Sequence, residues 1–324
     1  MSQPTRPGRV PGRLTYLTYR AAGTALAHLP EPAAAAAANA GALVMTVLAR
    51  RPAAMYARHL RRVVGGQLSD AEVRAWTRRA FRNYARYWME GARLPRLAPS
   101  VVESRFVVES GFEYLQQAMA AGNGAIVALP HVGSWEWGGA WLALHGYPMT
   151  SVAEPLAPPE LYEWFVAQRE AIGLSIVPLG PHAGNALLRV LDAGGLVGLL
   201  CDRDLLGNGV EVEFFGERTT LPAGPATLAL RTGAHLLPTA VYSGPGRDHT
   251  AVVLPPVSTQ RTGRLRQDVV AVTQRLAHDL ERLIRRAPEQ WHLFQPNWPS
   301  DRHGPDRGTA RSGESGSVDG AAMS

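Results

Sequence analysis

Apolar positions recur in two different rhythms along the chain, and the change comes near residue 105. Before it, from residue 14 to residue 94, the spacing is helical, opened by Leu14, Tyr16 and Leu17. Gly65-Gly66 breaks this stretch, after which Ser69 or Asp70 is expected to cap a new helix with Glu72 in its first turn. Past residue 105, short apolar runs alternate with helix-length amphipathic segments, which predicts a mostly parallel sheet covered by helices. Strands are expected at 105–109, 124–130, 149–154, 175–179, 196–201, 209–215, 236–243 and 250–256. Helices are expected at 111–122, 134–146, 158–172, 184–194, 222–232 and 264–286. Ala125-Ile-Val-Ala-Leu129 and Leu196-Val-Gly-Leu-Leu200 carry no polar side chain, the pattern of strands buried on both faces.

The expected fold class is therefore α/β, a central mostly parallel sheet flanked by helices, with a helical region at 13–100 and the α/β domain at 101–299. Residues 1–12, rich in Pro, Arg and Gly, and 300–324, rich in Gly, Ser and Asp, lack hydrophobic periodicity and are expected to be disordered.

Of 324 residues 46% are hydrophobic, enough for one large core. The 33 basic residues are all arginine, and the net charge of +6 suits nucleic acid, an anionic membrane surface or a phosphorylated substrate without choosing among them. A single cysteine, Cys201, rules out an internal disulfide and a cysteine-based metal cluster, and fits a reducing cytoplasmic setting. The uncharged run Ala33 to Ala49 is mostly alanine and slightly short of the roughly 20 strongly apolar residues a span needs. It reads as a soluble or surface-lying helix, and no cleaved signal is expected at the N-terminus.

Candidate chemistry gathers where the apolar strands end, the usual place in open α/β sheets. His131 follows the strand at 124–130, and Gly133-Ser134 turns the chain into a helix with Glu136 in its first turn. In one regular helix these two residues would stand about 140° apart. Across a strand-to-helix corner the carboxylate can reach one ring nitrogen, leaving the other to act as a general base. Asp202 and Asp204, in Cys201-Asp-Arg-Asp204, follow the strand at 196–200 and so share that sheet edge, while Arg169 lies near a helix end. Backbone N–H groups at the helix start, near Ser134 and Trp135, are candidate oxyanion donors. Ser134 as a nucleophile lacks the G-x-S-x-G setting, and the histidines show no recognisable metal-ligand spacing, so no metal site is expected.

In this order, His131-x4-Glu136, Arg169 with Gly173, Asp202-Arg-Asp204, Phe214-Phe-Gly216, Pro222-Ala-Gly-Pro225 and Pro288-Glu-Gln-Trp291 resemble the bacterial lipid A biosynthesis (lauroyl/myristoyl) acyltransferases over residues 65–298. The actinobacterial branch, the phosphatidylinositol mannoside acyltransferases, is the most similar. The resemblance implies a glycerolipid acyltransferase-like fold and catalysis by His131 and Glu136, with Asp202 as an acidic residue near the histidine. It implies that Arg169, Ser134, Trp135, Asp204 and Phe215 contact substrate. It further implies transfer of a fatty acyl group, palmitoyl, from acyl-CoA to a mannose hydroxyl of phosphatidylinositol mannoside. Acyl-CoA is then a co-substrate and no cofactor is needed. The implied place is the cytoplasmic face of the inner membrane, as a peripheral protein that does not bind nucleic acid. Lysophospholipid acyl transfer and non-catalytic lipid binding are the alternatives; the Phe/Pro-Glu-Gly-Thr-Arg segment usual in the first is not found.

Overall fold

The structure, a computed structural model, describes residues 12–66, 68–246 and 248–302. Residues 1–11 and 303–324, where disorder is expected, lie outside the described residues.

Four helices come first: α1 (Gly12–His28), α2 (Glu31–Leu48), α3 (Arg50–Val64) and α4 (Asp70–Arg93). Gly65, at φ 65°, is the left-handed cap that ends α3, a backbone state glycine adopts without strain. Ser69 caps α4 in a reciprocal box: its hydroxyl accepts the Glu72 N–H at 3.3 Å, and the Glu72 carboxylate accepts the Ser69 N–H at 2.8 Å. The other three helices all contact α4.

A short helix α5 (Pro99–Ser104) straddles the expected boundary at residue 100 and leads into β1 (Phe106–Ser110), α6 (Phe112–Ala120), β2 (Ala125–Leu129), α7 (Trp135–Leu144), β3 (Met149–Ala153), α8 (Pro159–Glu170) and β4 (Ser175–Pro178). Then follow α9 (Ala183–Asp192), β5 (Leu196–Leu200), β6 (Val210–Phe214), β7 (Glu217–Leu221), α10 (Gly224–Thr232), β8 (His235–Ser243), β9 (His249–Val253), α11 (Leu265–Arg286) and the turn helix α12 (Pro299–Arg302). Seven strands form one sheet in the order β1-β9-β8-β2-β5-β3-β4. All its pairings are parallel except β8 with β9. The expected strand at 209–215 is not part of it. As β6 it pairs antiparallel with β7, a strand whose Glu217-Arg-Thr-Thr sequence has no apolar run to announce it.

All five residues of β2 are buried, and they divide by the period of two: Ile126 and Ala128 join the core under α9, α10 and α11, whereas Ala125, Val127 and Leu129 face the core with Leu115 and Trp135. After α11 the chain crosses back as a strap, residues 288–298, between the sheet edge and the helices α3 and α4. Its Phe294 ring lies 5.0–5.7 Å from Tyr56, Phe81 and Tyr84.

Residues 300–302, expected as tail, instead complete α12 and are clasped to α3. Asp301 is buried, with Nε2 of His59 donating to it at 3.2 Å and Arg62 pairing at 2.8 Å. The His59 Nδ1 lies 3.1 Å from the Leu293 carbonyl, so both ring nitrogens face acceptors. Burial alone would raise the Asp301 carboxyl, but His59, the Asn297 and Trp298 amides and Arg62 outweigh it and hold it below the carboxylate range. A carboxyl depressed in the folded state adds stability above its unfolded pKa, near 4, and that contribution fades as pH falls further.

Removing it leaves the buried His59 ring without its carboxylate acceptor and takes from Arg62 one of two carboxylate partners, the other being Glu217 at 2.7 Å. Asp301→Ala is therefore expected to cost about 3–5 kcal/mol in urea unfolding at pH 7, with the gap to the parent chain narrowing below pH ~4. A gap that stays constant with pH would contradict this account.

Candidate functional site

The geometry of the site follows from a register. β2 and β5 pair in parallel, with Leu129 opposite Leu200. Carried two residues further, the same offset sets His131 opposite Asp202, which are 71 positions apart in the chain. The Cys201 N–H donates to the Leu129 carbonyl at 2.8 Å and extends the ladder past the named strands. Nδ1–H of His131 donates to Asp202 Oδ1 at 2.6 Å, and the His131 backbone N–H donates to Oδ2 at 3.0 Å. Asp202 is fully buried while the His131 ring is 32% exposed, so Nε2 is left as the basic nitrogen toward the open side. Burial alone would push the Asp202 carboxyl up; the facing His131 and the N–H groups of His131 and Trp291 outweigh it and keep it below the usual carboxylate range.

The carboxylate that meets His131 is thus Asp202 and not Glu136. Between the two residues of the expected pair, Val132 bridges to Trp291 and Gly133 to Val241, which fixes the corner. Gly133, at φ 58°, sits where a Cβ would come within 2.0 Å of the Val241 carbonyl, so a side chain there would pry the corner off β8. Glu136 emerges on α7 toward α4 and α8, where its Oε1 accepts the Tyr87 hydroxyl at 2.8 Å and Arg169 at 3.1 Å. The Arg169 guanidinium lies 5.3 Å from the centre of the Trp135 ring and 5.9 Å from that of Phe165. Burial and Glu136 push the Tyr87 phenol well above its ordinary value, so it remains a donor.

Ser134 is committed to the framework. Its amide donates to the Val241 carbonyl at 3.2 Å and its hydroxyl to Glu90 at 3.0 Å, so of the two amides expected to face an oxyanion only that of Trp135 remains. Glu90 also accepts from His249 at 3.0 Å and Arg86 at 2.6 Å, a buried network that carries α4 onto the sheet. Asp204 is occupied by its own loop, accepting the Gly207 and Gly209 amides and the Thr220 hydroxyl at 2.8–2.9 Å. Phe215, at φ 53°, is the tip of the β6–β7 hairpin; it is buried against Trp291 and its amide donates to Glu281 at 2.6 Å. Neither residue joins the His131 cluster, because the hairpin turns both into packing and loop closure. Cys201 is buried, and burial with Asp202 beside it pushes its thiol up, which leaves it inert.

Beside Glu136 and Arg169 opens a cavity of about 190 Å³ between α1, α4 and α8, walled by Tyr19, Leu26, Trp88, Trp164, Phe165 and Ile172. The residues that sequence reasoning does not place here are Tyr87, Glu90, Trp291, His292 and Asn297. Their approach depends on α4 and the strap folding over the sheet edge; Pro288-Glu-Gln-Trp291 was the one signal that the strap matters.

The family model described as bacterial lipid A biosynthesis acyltransferase matches residues 5–300. A phosphatidylinositol mannoside acyltransferase of Mycolicibacterium smegmatis is 37% identical over 307 residues, covering 92% of this chain and 96% of that one. One of Mycobacterium tuberculosis is 40% identical over 223 residues, covering 68% of this chain and 69% of the relative.

Glu136 neutralises a guanidinium whose side chain is 21% exposed. Glu136→Ala is expected to lower stability by about 3 kcal/mol in urea unfolding, because it leaves Arg169 without its anion, and Arg169→Met in the same background should recover part of that loss. No recovery in the double variant would show that the two do not act as a pair.

Proposed function

Because the chain belongs to the bacterial lipid A biosynthesis acyltransferase family, we propose that it transfers a palmitoyl group from acyl-CoA to a mannose hydroxyl of phosphatidylinositol mannoside. His131 is the general base and Asp202 orients it. The observation that carries this reading is the 2.6 Å hydrogen bond from His131 Nδ1 to a buried carboxylate, on a histidine whose side chain is itself partly exposed. Nε2 takes the proton of the sugar hydroxyl as its oxygen bonds to the thioester carbonyl carbon; the C–S bond then breaks and the imidazolium returns the proton to the departing coenzyme A thiolate. Asp202 fixes the tautomer and stabilises the imidazolium. The Trp135 amide at the start of α7 is the candidate donor to the tetrahedral oxyanion. Glu136 acts one step away, holding Arg169 at the mouth of the cavity, whose aromatic and aliphatic walls suit an acyl chain. Acyl-CoA enters as a co-substrate.

Association with a membrane surface is part of the same proposal. Helix α2 has a mean hydropathy of 1.3 over 18 residues and only 11% of it is buried, so by length and composition it is the one described helix that could cross a bilayer. Leu43, Val44, Val47 and Leu48 on it are all more than half exposed. Its other side packs on α4, whose Arg74, Arg78, Arg79 and Arg82 are exposed and offer charge to anionic lipid. We read α2 as lying in the interface of the inner membrane on its cytoplasmic face.

Purified protein given palmitoyl-CoA and a phosphatidylinositol mannoside is expected to release free thiol. His131→Ala should reduce this to background, and Asp202→Asn should reduce kcat about 10³-fold or more. Normal turnover by a folded His131→Ala variant would overturn the mechanism, and turnover with a lysophospholipid in place of the mannoside would overturn the acceptor. For the membrane, Leu43→Asp with Val47→Asp is expected to abolish co-sedimentation with anionic vesicles while preserving turnover of detergent-solubilised substrate. Unchanged sedimentation would remove α2 from the proposal.

A further inference from the structure

We propose that Trp291 is a positioning residue for the dyad, its indole N–H locking the Asp202 carboxylate in the orientation that serves His131. This rests on the reading of His131 and Asp202 given above. A carboxylate on a single Cβ–Cγ bond rotates freely unless both oxygens are held. Here Oδ1 takes the His131 ring N–H, while Oδ2 takes the His131 amide at 3.0 Å and the Trp291 Nε1–H at 2.6 Å. The indole itself cannot turn. It is 1% exposed and wedged edge-on between Phe214 and Trp298, with interplanar angles of 87° and 84° and centroids 6.3 Å away in both cases.

The strap that carries Trp291 also grips the main chain of both dyad residues. Gly133 N–H donates to Gln290, the His292 N–H donates to the His131 carbonyl at 2.7 Å, and Asn297 Nδ2 donates to the Asp202 carbonyl at 3.0 Å. A strap that only covered the core would have no need to bond the dyad's main chain at two points and its carboxylate at a third. Three titratable groups near Asp202, His292, Cys201 and Glu90, keep one charge state across neutral pH. Burial holds His292 down to about 3, as a neutral ring donating to the Gly133 carbonyl; it pushes the Cys201 thiol up; and Glu90, which faces His292, stays ionised beside His249 and Arg86. A shift in the acidic limb of the rate profile therefore reports the dyad.

Trp291→Phe keeps an aromatic ring in the wedge and deletes the N–H. The expected result is a fall in kcat of about 10- to 100-fold, with KM for both substrates within about twofold of the parent enzyme. Losing a donor to Oδ2 makes the carboxylate more basic and the imidazolium easier to form, so the acidic limb of kcat/KM against pH should move up by about half a pH unit. Trp298→Phe is the control. It also deletes an indole N–H from the strap, but one that donates to the Phe214 carbonyl at 3.1 Å, so it should lower the Tm without moving the limb. Parent-like kcat and pH profile in Trp291→Phe, or an equal shift in Trp298→Phe, would overturn the proposal. Asp202→Asn run in parallel separates the two levels: if it is fully active, the dyad reading falls and this proposal with it. If it is inactive while Trp291→Phe behaves as the parent, only the role of Trp291 falls.

Discussion

The parallel register between β2 and β5 is the constraint on which the rest of the site depends. Both strands feed two different cores, one on each face of the sheet, and a slip by one residue would send every side chain shaped for one core into the other. With Leu129 held against Leu200, the first polar groups past the strand ends fall opposite one another. The His131–Asp202 contact is thus a by-product of packing that is hydrophobic and non-directional, made directional by the strand period.

Around that contact the polar groups of the structure fall into three circuits, two of them at the site itself. One, Asp202 with His131 and Trp291, is tied to the strap. The other, Glu136 with Arg169 and Tyr87, joins α7 to α8 and α4 beside the cavity. A third cluster, centred on Glu90, pins α4 to β9 and to the start of α7 through His249 and Ser134. Each buried carboxylate meets donors from distant parts of the chain, so the N-terminal helices and the C-terminal strap are as much part of the site as the sheet edge. Such groups are costly to leave unpaired, which makes these circuits determinants of orientation more than of net stability.

The clasp at the far end of the strap belongs to the same logic. His59, Arg62 and Asp301 close residues 291–301 onto α3, and Trp291 and Trp298 fill the space between. Support for the dyad therefore runs from α3 through the strap to Asp202, by contacts of residues more than 200 positions apart.

The sequence by itself determined the alternation of apolar strands and amphipathic helices, the helical first third, a helix start at Ser69 or Asp70 and the gathering of His131 and Asp202 at one sheet edge. These depend on local periodicity and on where apolar runs end. It could not choose the partner of His131, because Glu136 lies five residues away and Asp202 lies 71 away, and nearness along the chain favoured the wrong one. Nor could it show that Asp204 and Phe215 close a loop and a hairpin, that Ser134 serves the framework, or that β7 exists. The Asp204 loop and the β6–β7 hairpin are closed by turn contacts that carry no apolar period, and Ser134 and Phe215 are held by partners 44 and 66 residues away, Glu90 and Glu281. His131 was legible as a base; only the tertiary structure decided which carboxylate, and which indole behind it, holds that base in place.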